Sequence, residues 1–132
     1  MIDIEVNVFD TVYPYLSELV PEGCFTSEYV HEPAGFPHVS LIEIDNTPDK
    51  RTRDSGRAEW SSVVTFESNV YAMSKEECRT VQAALDEAMV SLMGFTKTSG
   101  LFVPNLADRM IYRITARYER GVTHSGHMYK PT

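Results

Sequence analysis

Apolar and polar positions repeat with two different periods along this chain, and each change of period marks an element. Between Ser74 and Gly94, Cys78, Val81, Leu85, Ala88, Met89 and Leu92 recur at steps of three and four, while Glu76, Arg79, Gln82, Asp86 and Glu87 fall mostly between them. That spacing predicts a helix with one buried face. Ser74 and Glu77 form a capping box, in which the hydroxyl takes the Glu77 amide and the carboxylate reaches back to the Ser74 amide. Gly94 supplies a left-handed residue that ends the helix without a Cβ penalty, and Phe95 is placed to fold back on the last turn. On either side the period drops to two. From Glu59 to Met73, Val64, Phe66, Val70 and Ala72 share one face, and Thr65, Glu67 and Asn69 share the other. From Met110 to Glu119, Met110, Tyr112, Ile114, Ala116 and Tyr118 alternate with Ile111, Arg113, Thr115, Arg117 and Glu119. Both read as long half-buried strands.

The first half is less clear. Residues 2 to 20 carry a strand alternation in Ile2, Ile4, Val6 and Val8, and a longer helical one in Ile4, Val8, Val12, Leu16 and Leu19. The longer pattern predicts a helix ending before Pro21, either kinked at Pro14 or starting a residue or so before it, because an interior proline costs about 3 kcal/mol. Cys24 to His31 has weak strand character. Phe36 to Asn46, with Val39, Leu41, Ile42 and Ile44, reads as a central strand. Thr96 to Val103 is polar and then apolar, closed by Pro104 and Asn105, and a short strand is conceivable near Met128 and Tyr129. Runs of consecutive strands instead of strict alternation with helices argue for an α+β fold. The expected form is an antiparallel or mixed sheet of four to five strands with two helices on one face.

Composition narrows the possibilities. With 132 residues, 42% hydrophobic and 23% charged, the chain is expected to fold as a single domain, 1–132, with a long loop at 46–58 and a C-terminal tail at 122–132. No apolar run approaches the roughly 20 residues of a spanning helix, so no membrane partner is expected, and the acidic start MIDIEVNVFD is unlike a basic export signal. Cys24 and Cys78 could form one disulfide, but Cys78 falls on the apolar helix face, and the pair is read as reduced and buried. Twelve basic against nineteen acidic residues give a net charge of −7, which opposes wrapping nucleic acid.

Catalytic signatures are absent from the sequence. Of the histidines His31, His38, His124 and His127, the last two are three apart, a weak zinc signal read as solvated tail because no Cys or acidic ligand lies beside them, and no phosphate loop or nucleophile elbow occurs. No catalytic residue, metal or cofactor is therefore expected. Strand carboxylates Glu43, Asp45, Glu59 and Glu67 leave a small acid–base enzyme as a rival, although such groups more often face solvent or a neighbouring subunit. The interaction candidates are few. Lys50, Arg51, Arg53 and Arg57 lie in the loop, long enough to be functional. Arg113 and Arg117 share a strand face, where their guanidinium forks would suit carboxylates across a subunit interface or equally serve as ordinary surface charges.

The pieces VFDTVYPYL, FPHVSLIEIDN, the Glu59 strand ending in NVYA, LMGFTKT, VPNLAD and IYRITARYE, in that order from Val8 to Glu119, resemble the siphophage tail terminator family, whose members are often called minor capsid proteins. The resemblance implies a non-enzymatic virion protein of the tail or neck, assembled in the host cytoplasm. Its subunits would form a homo-oligomeric ring, commonly a hexamer, on the head-proximal end of the tail tube. There it would stop tube polymerisation, meet the tail tube protein and a head completion or connector protein, and let genomic DNA pass without specific binding. The family positions fall on Phe36 and Pro37, Asp45 and Asn46, Glu59, and Pro104 to Leu106, as fold and loop determinants. Trp60 departs from the pattern, since a polar residue is expected after Glu59, and an exposed Trp there would be an interface anchor. A head-side neck or head completion protein is the nearest alternative, and a small intracellular binding module a more distant one.

Overall fold

The computed structural model describes residues 4–28, 33, 35–48, 61–103, 111–123 and 128–129. Its first helix, α1, spans Glu5–Leu16. Ile4, Val8, Val12, Leu16 and Val20 are all buried at steps of four, whereas Val6, which a strand would place beside Ile4 and Val8, is 67% exposed. The helical period therefore wins. Pro14 occupies the last turn, so the helix starts well before it and not a residue or so before, and it ends at Leu16, short of the expected Pro21. Ser17 closes the end, its amide bonding Tyr13 O at 2.9 Å and its hydroxyl Pro14 O at 3.1 Å. Leu19, expected on the buried face, is exposed, and Val20 turns inward instead through its amide bond to Leu16 O.

The strands are β1 (Phe25–Thr26), β2 (His38–Pro48), β3 (Ser61–Ala72), β4 (Thr96–Val103), β5 (Tyr112–Thr123) and β6 (Met128–Tyr129). They form one mixed sheet in the order β1-β2-β3-β5-β4, with β6 on β5. Among the described strands only the β1–β2 pairing is parallel. This is the expected α+β class, with four long strands and two two-residue ones. The centre belongs to β3 and β5, which pair along twelve positions from Ser61↔Thr123 to Ala72↔Tyr112. β2 is displaced from the centre, since β1 covers it only at Val39 and Ser40. Two boundaries also move. β2 takes Asn46 to Pro48 from the predicted loop, and β5 takes Val122 and Thr123 from the predicted tail, burying Val122. The short strand near Met128 is present.

The second helix, α2 (Lys75–Asp86), starts as predicted: Ser74 is extended and its hydroxyl accepts the Glu77 amide at 3.1 Å. Cys78, Val81 and Leu85 are buried on a helix that packs on β3 and β5, and Ala88 and Met89 are buried beyond it in the same core. From Glu87 to Leu92 the helix widens into a π turn, with the Met93 amide reaching back five residues to Ala88 O at 3.0 Å. The extra residue rotates the end of the helix, so Leu92, predicted inside, is exposed and Met93 is buried in its place. Gly94 then adopts φ +71°, and the Arg120 guanidinium passes over it to donate to Met93 O. A Cβ at Gly94 would displace that guanidinium, the far end of a flexible side chain, so it is the backbone conformation that requires glycine. Phe95 folds back through its amide to Met89 O and stacks edge-on against Phe66. α1 completes the same face, its Phe9 ring 4.1 Å from that of Phe25. Both cysteines are buried free thiols.

Candidate functional site

Among the described residues the main polar groupings lie one on each face of the sheet. Between α2 and the sheet, Tyr118 is wholly buried and donates its phenol to Asp86 Oδ1, while Gln82 Nε2 reaches Tyr118 Oη at 2.7 Å and Asp86 Oδ1 at 3.0 Å. Lys97 from β4 pairs with Asp86 Oδ2 at 2.9 Å. Burial and the Asp86 carboxylate both push the Tyr118 pKa well above its ordinary value, so the phenol stays a donor. This grouping ties α2 to β4 and β5. Sequence reading missed it because Gln82 and Asp86 fall on the polar flank of the helix. Their i, i+4 spacing beside an apolar stripe was the available signal.

On the opposite face the side chains of β3 and β5 interlock. Arg113 donates from Nε and Nη2 to Asn69 Oδ1 at 2.9 and 2.7 Å, and Thr115 Oγ1 donates to the same oxygen at 2.8 Å. Asn69 Nδ2 donates to Glu67 Oε1 at 3.4 Å, and Arg117 holds Glu67 Oε2 from Nε and Nη2, each at 3.2 Å. Arg113 also lies 5.6 Å over the Tyr71 ring. The predicted shared face of Arg113 and Arg117 is thus present, but both forks are engaged within the chain, on Asn69 and Glu67. Glu67, expected at solvent, is buried for that reason. His38 and Ser40 continue this face across β2. His38 Nε2 is 3.4 Å from Thr26 Oγ1, while His38 Nδ1 and Ser40 Oγ are buried without hydrogen-bond partners. Burial lowers the His38 pKa.

The other candidates divide simply. Lys50, Arg51, Arg53, Arg57, Glu59 and Trp60 lie outside the described residues, as do His31, His124, His127 and Pro104 to Leu106. Phe36 and Pro37 are joined by a cis peptide ahead of β2. Glu43 Oε1 accepts from Asn46 Nδ2 at 3.0 Å and Asp45 Oδ1 from Thr47 Oγ1 at 2.8 Å, so both carboxylates organise a bulge in β2. Among the described residues no group of three His, Cys, Asp or Glu could hold a metal, and no helix is long and apolar enough to cross a membrane. The described hollows are open grooves on the helical layer, such as one of about 380 Å³ lined by Glu18, Leu19, Glu76, Glu77, Thr80 and Val81. The described residues present surface, chiefly two sheet borders and a helical layer.

No protein-family model matches the chain, and no curated protein does. A solved structure does. One chain of a structure titled "Virion of native gene transfer agent (GTA) particle" superposes with a TM-score of 0.61, over 84% of this chain and 90% of that one, at 18% identity. The two share a fold.

Proposed function

We propose that this chain is a structural virion protein of a tailed phage or phage-like particle, acting as a ring-forming tail terminator. One observation carries the reading: the fold spans almost the whole of a chain belonging to a gene transfer agent virion. The order of sequence pieces from Val8 to Glu119, which resembles the terminator family, supports the finer role. In that role six subunits close a ring on the head-proximal end of the tail tube, end its growth and present a surface to the head completion or connector protein. The work is done by surfaces and not by catalysis. A net charge of −7 suits a passage for DNA, because each phosphate contact would add affinity and retard movement. The basic segment Lys50 to Arg57 is assigned to acidic surfaces of the tube or of a neighbouring subunit, and Glu59 and Trp60 to the same contact.

Native mass spectrometry with negative-stain imaging, on the chain alone and with tail tubes, tests this directly. Hollow six-membered rings, free or capping tubes, are expected. Cofractionation with tailless heads would instead favour the head-side neck role. Replacing Arg51 and Arg53 by glutamate should impair docking on tubes and leave the melting temperature unchanged, whereas normal docking would remove the basic segment from the contact.

A further inference from the structure

The two borders of the long-strand sheet match in length, direction and charge. β4 pairs with β5 along one side only, so its eight residues leave one border with no described strand beside it. At the other border β1 stops at Ser40, and of the 11 residues of β2 the stretch from Leu41 to Pro48, also eight, is uncovered by any described strand. A strand border is a row of unpaired amides and carbonyls, and natural sheets blunt it with charge, proline or a bulge, or remove it by closure. β2 is blunted by Glu43, Asp45, Pro48 and its bulge. β4 is blunted only at its start, by Lys97 and the bulge before Ser99. Ser99 to Val103 has no charge and no proline, and Leu101 is 58% exposed.

We propose that β4 of one subunit pairs with the outer edge of β2 in a second copy of this chain, so that the sheet continues around the ring. The proposal rests on the ring reading and names its interface. Direction fits, because β2, β3, β5 and β4 alternate up, down, up and down. Rotation about an axis along the strands keeps that alternation across every junction, making β4 antiparallel to the next β2. Such a contact is heterologous, two different patches per subunit, as a closed ring needs. Charge fits as well: Leu41 to Pro48 carries two acids and no base, and β4 carries one base and no acid. Each border also exposes an apolar side chain, Ile44 on β2 and Leu101 on β4.

The test compares Leu101→Asp with Leu101→Lys, both at an exposed position and each first checked for an unchanged circular dichroism spectrum and melting temperature. Ring assembly is measured by native mass spectrometry over a dilution series. Leu101→Asp places a carboxylate against the acidic border of the neighbour, and the subunit dissociation constant should rise on the order of tenfold or more above that of Leu101→Lys. Adding Asp45→Lys to Leu101→Asp should recover much of the loss. Equal weakening by the two charges, or no recovery, overturns β2 as the mate. Rings that form equally well with all variants overturn the border pairing and leave the ring reading standing. A wild-type chain that forms no ring, alone or on tubes, overturns both.

Discussion

The two faces of the sheet are built from the same strands and held by different forces. Under the helices, Val64, Phe66, Val70, Ile114 and Ala116 share a core with Cys78, Val81, Leu85 and Met89, and the described polar contacts are the grouping around Tyr118 and the Cys78 thiol on Val70 O and Tyr112 O. On the far face, Glu67, Asn69, Arg113, Thr115 and Arg117 are joined side chain to side chain. Burial of apolar area is non-directional and the core is close-packed, so the first face is most sensitive to loss of volume. Hydrogen bonds are directional, so the second sets the β3–β5 register but contributes little per bond. Stability should therefore depend mainly on the helical face, and strand register on the other.

The largest effect should come from Leu85→Ala, since a fully buried leucine leaves a cavity costing about 2–5 kcal/mol, read by urea denaturation. A loss near zero would break the assignment of stability to this face. The alkaline limb comes next. Burial holds the Cys78 pKa at about 11 against an ordinary 9.0, so between those values the unfolded chain releases a proton that the folded chain keeps. Stability then falls as pH rises through this window, by about 2–3 kcal/mol at most, and Cys78→Ala should flatten that limb relative to wild type.

The far face predicts smaller losses and the opposite limb. Asn69→Ala leaves the Arg113 and Thr115 donors without their shared oxygen, an expected loss of about 1–3 kcal/mol, whereas Thr115→Val removes one of those donors, leaves the oxygen on Arg113 and should cost less. Equal losses for the two would show that Arg113 does not act through that oxygen. His38 is held neutral by burial, its pKa lowered, so below pH 6.5 the unfolded chain takes up a proton before the folded one does. Stability is lost as pH falls from 6.5 toward the folded pKa, and His38→Gln should flatten the acid limb without moving the alkaline one. The smallest change is Arg117→Ala. Its own side chain is 54% exposed but Glu67 is buried, so removing the cation should cost about 1 kcal/mol, the low end for a buried group that loses one partner, and less in salt.

Much of the helical face was legible along the chain. The face of α2, its Ser74 cap, its Gly94 stop and the alternations of β3 and β5 follow from local periodicity and capping chemistry, which act over a few residues. The candidate contacts were harder to place. Arg113 and Arg117 were correctly put on one strand face, but their partners lie 44 and 50 residues away, on a strand whose register no local pattern fixes. Gln82 and Asp86 looked like solvent residues until Tyr118 and Lys97 arrived beside them.

Sequence by itself determined most of the helix and strand stretches and most of the buried faces of α2, β3 and β5, because period and caps are properties of neighbouring residues. Tertiary structure decided the order of the strands, which moved β2 from the centre toward one border, and the π turn, which exchanged Leu92 for Met93. It also decided that the Arg113 and Arg117 forks are engaged within the chain. Each of these depends on groups far apart in the sequence, competing for the same space or the same oxygen atom, and that competition is settled only when the chain has closed on itself.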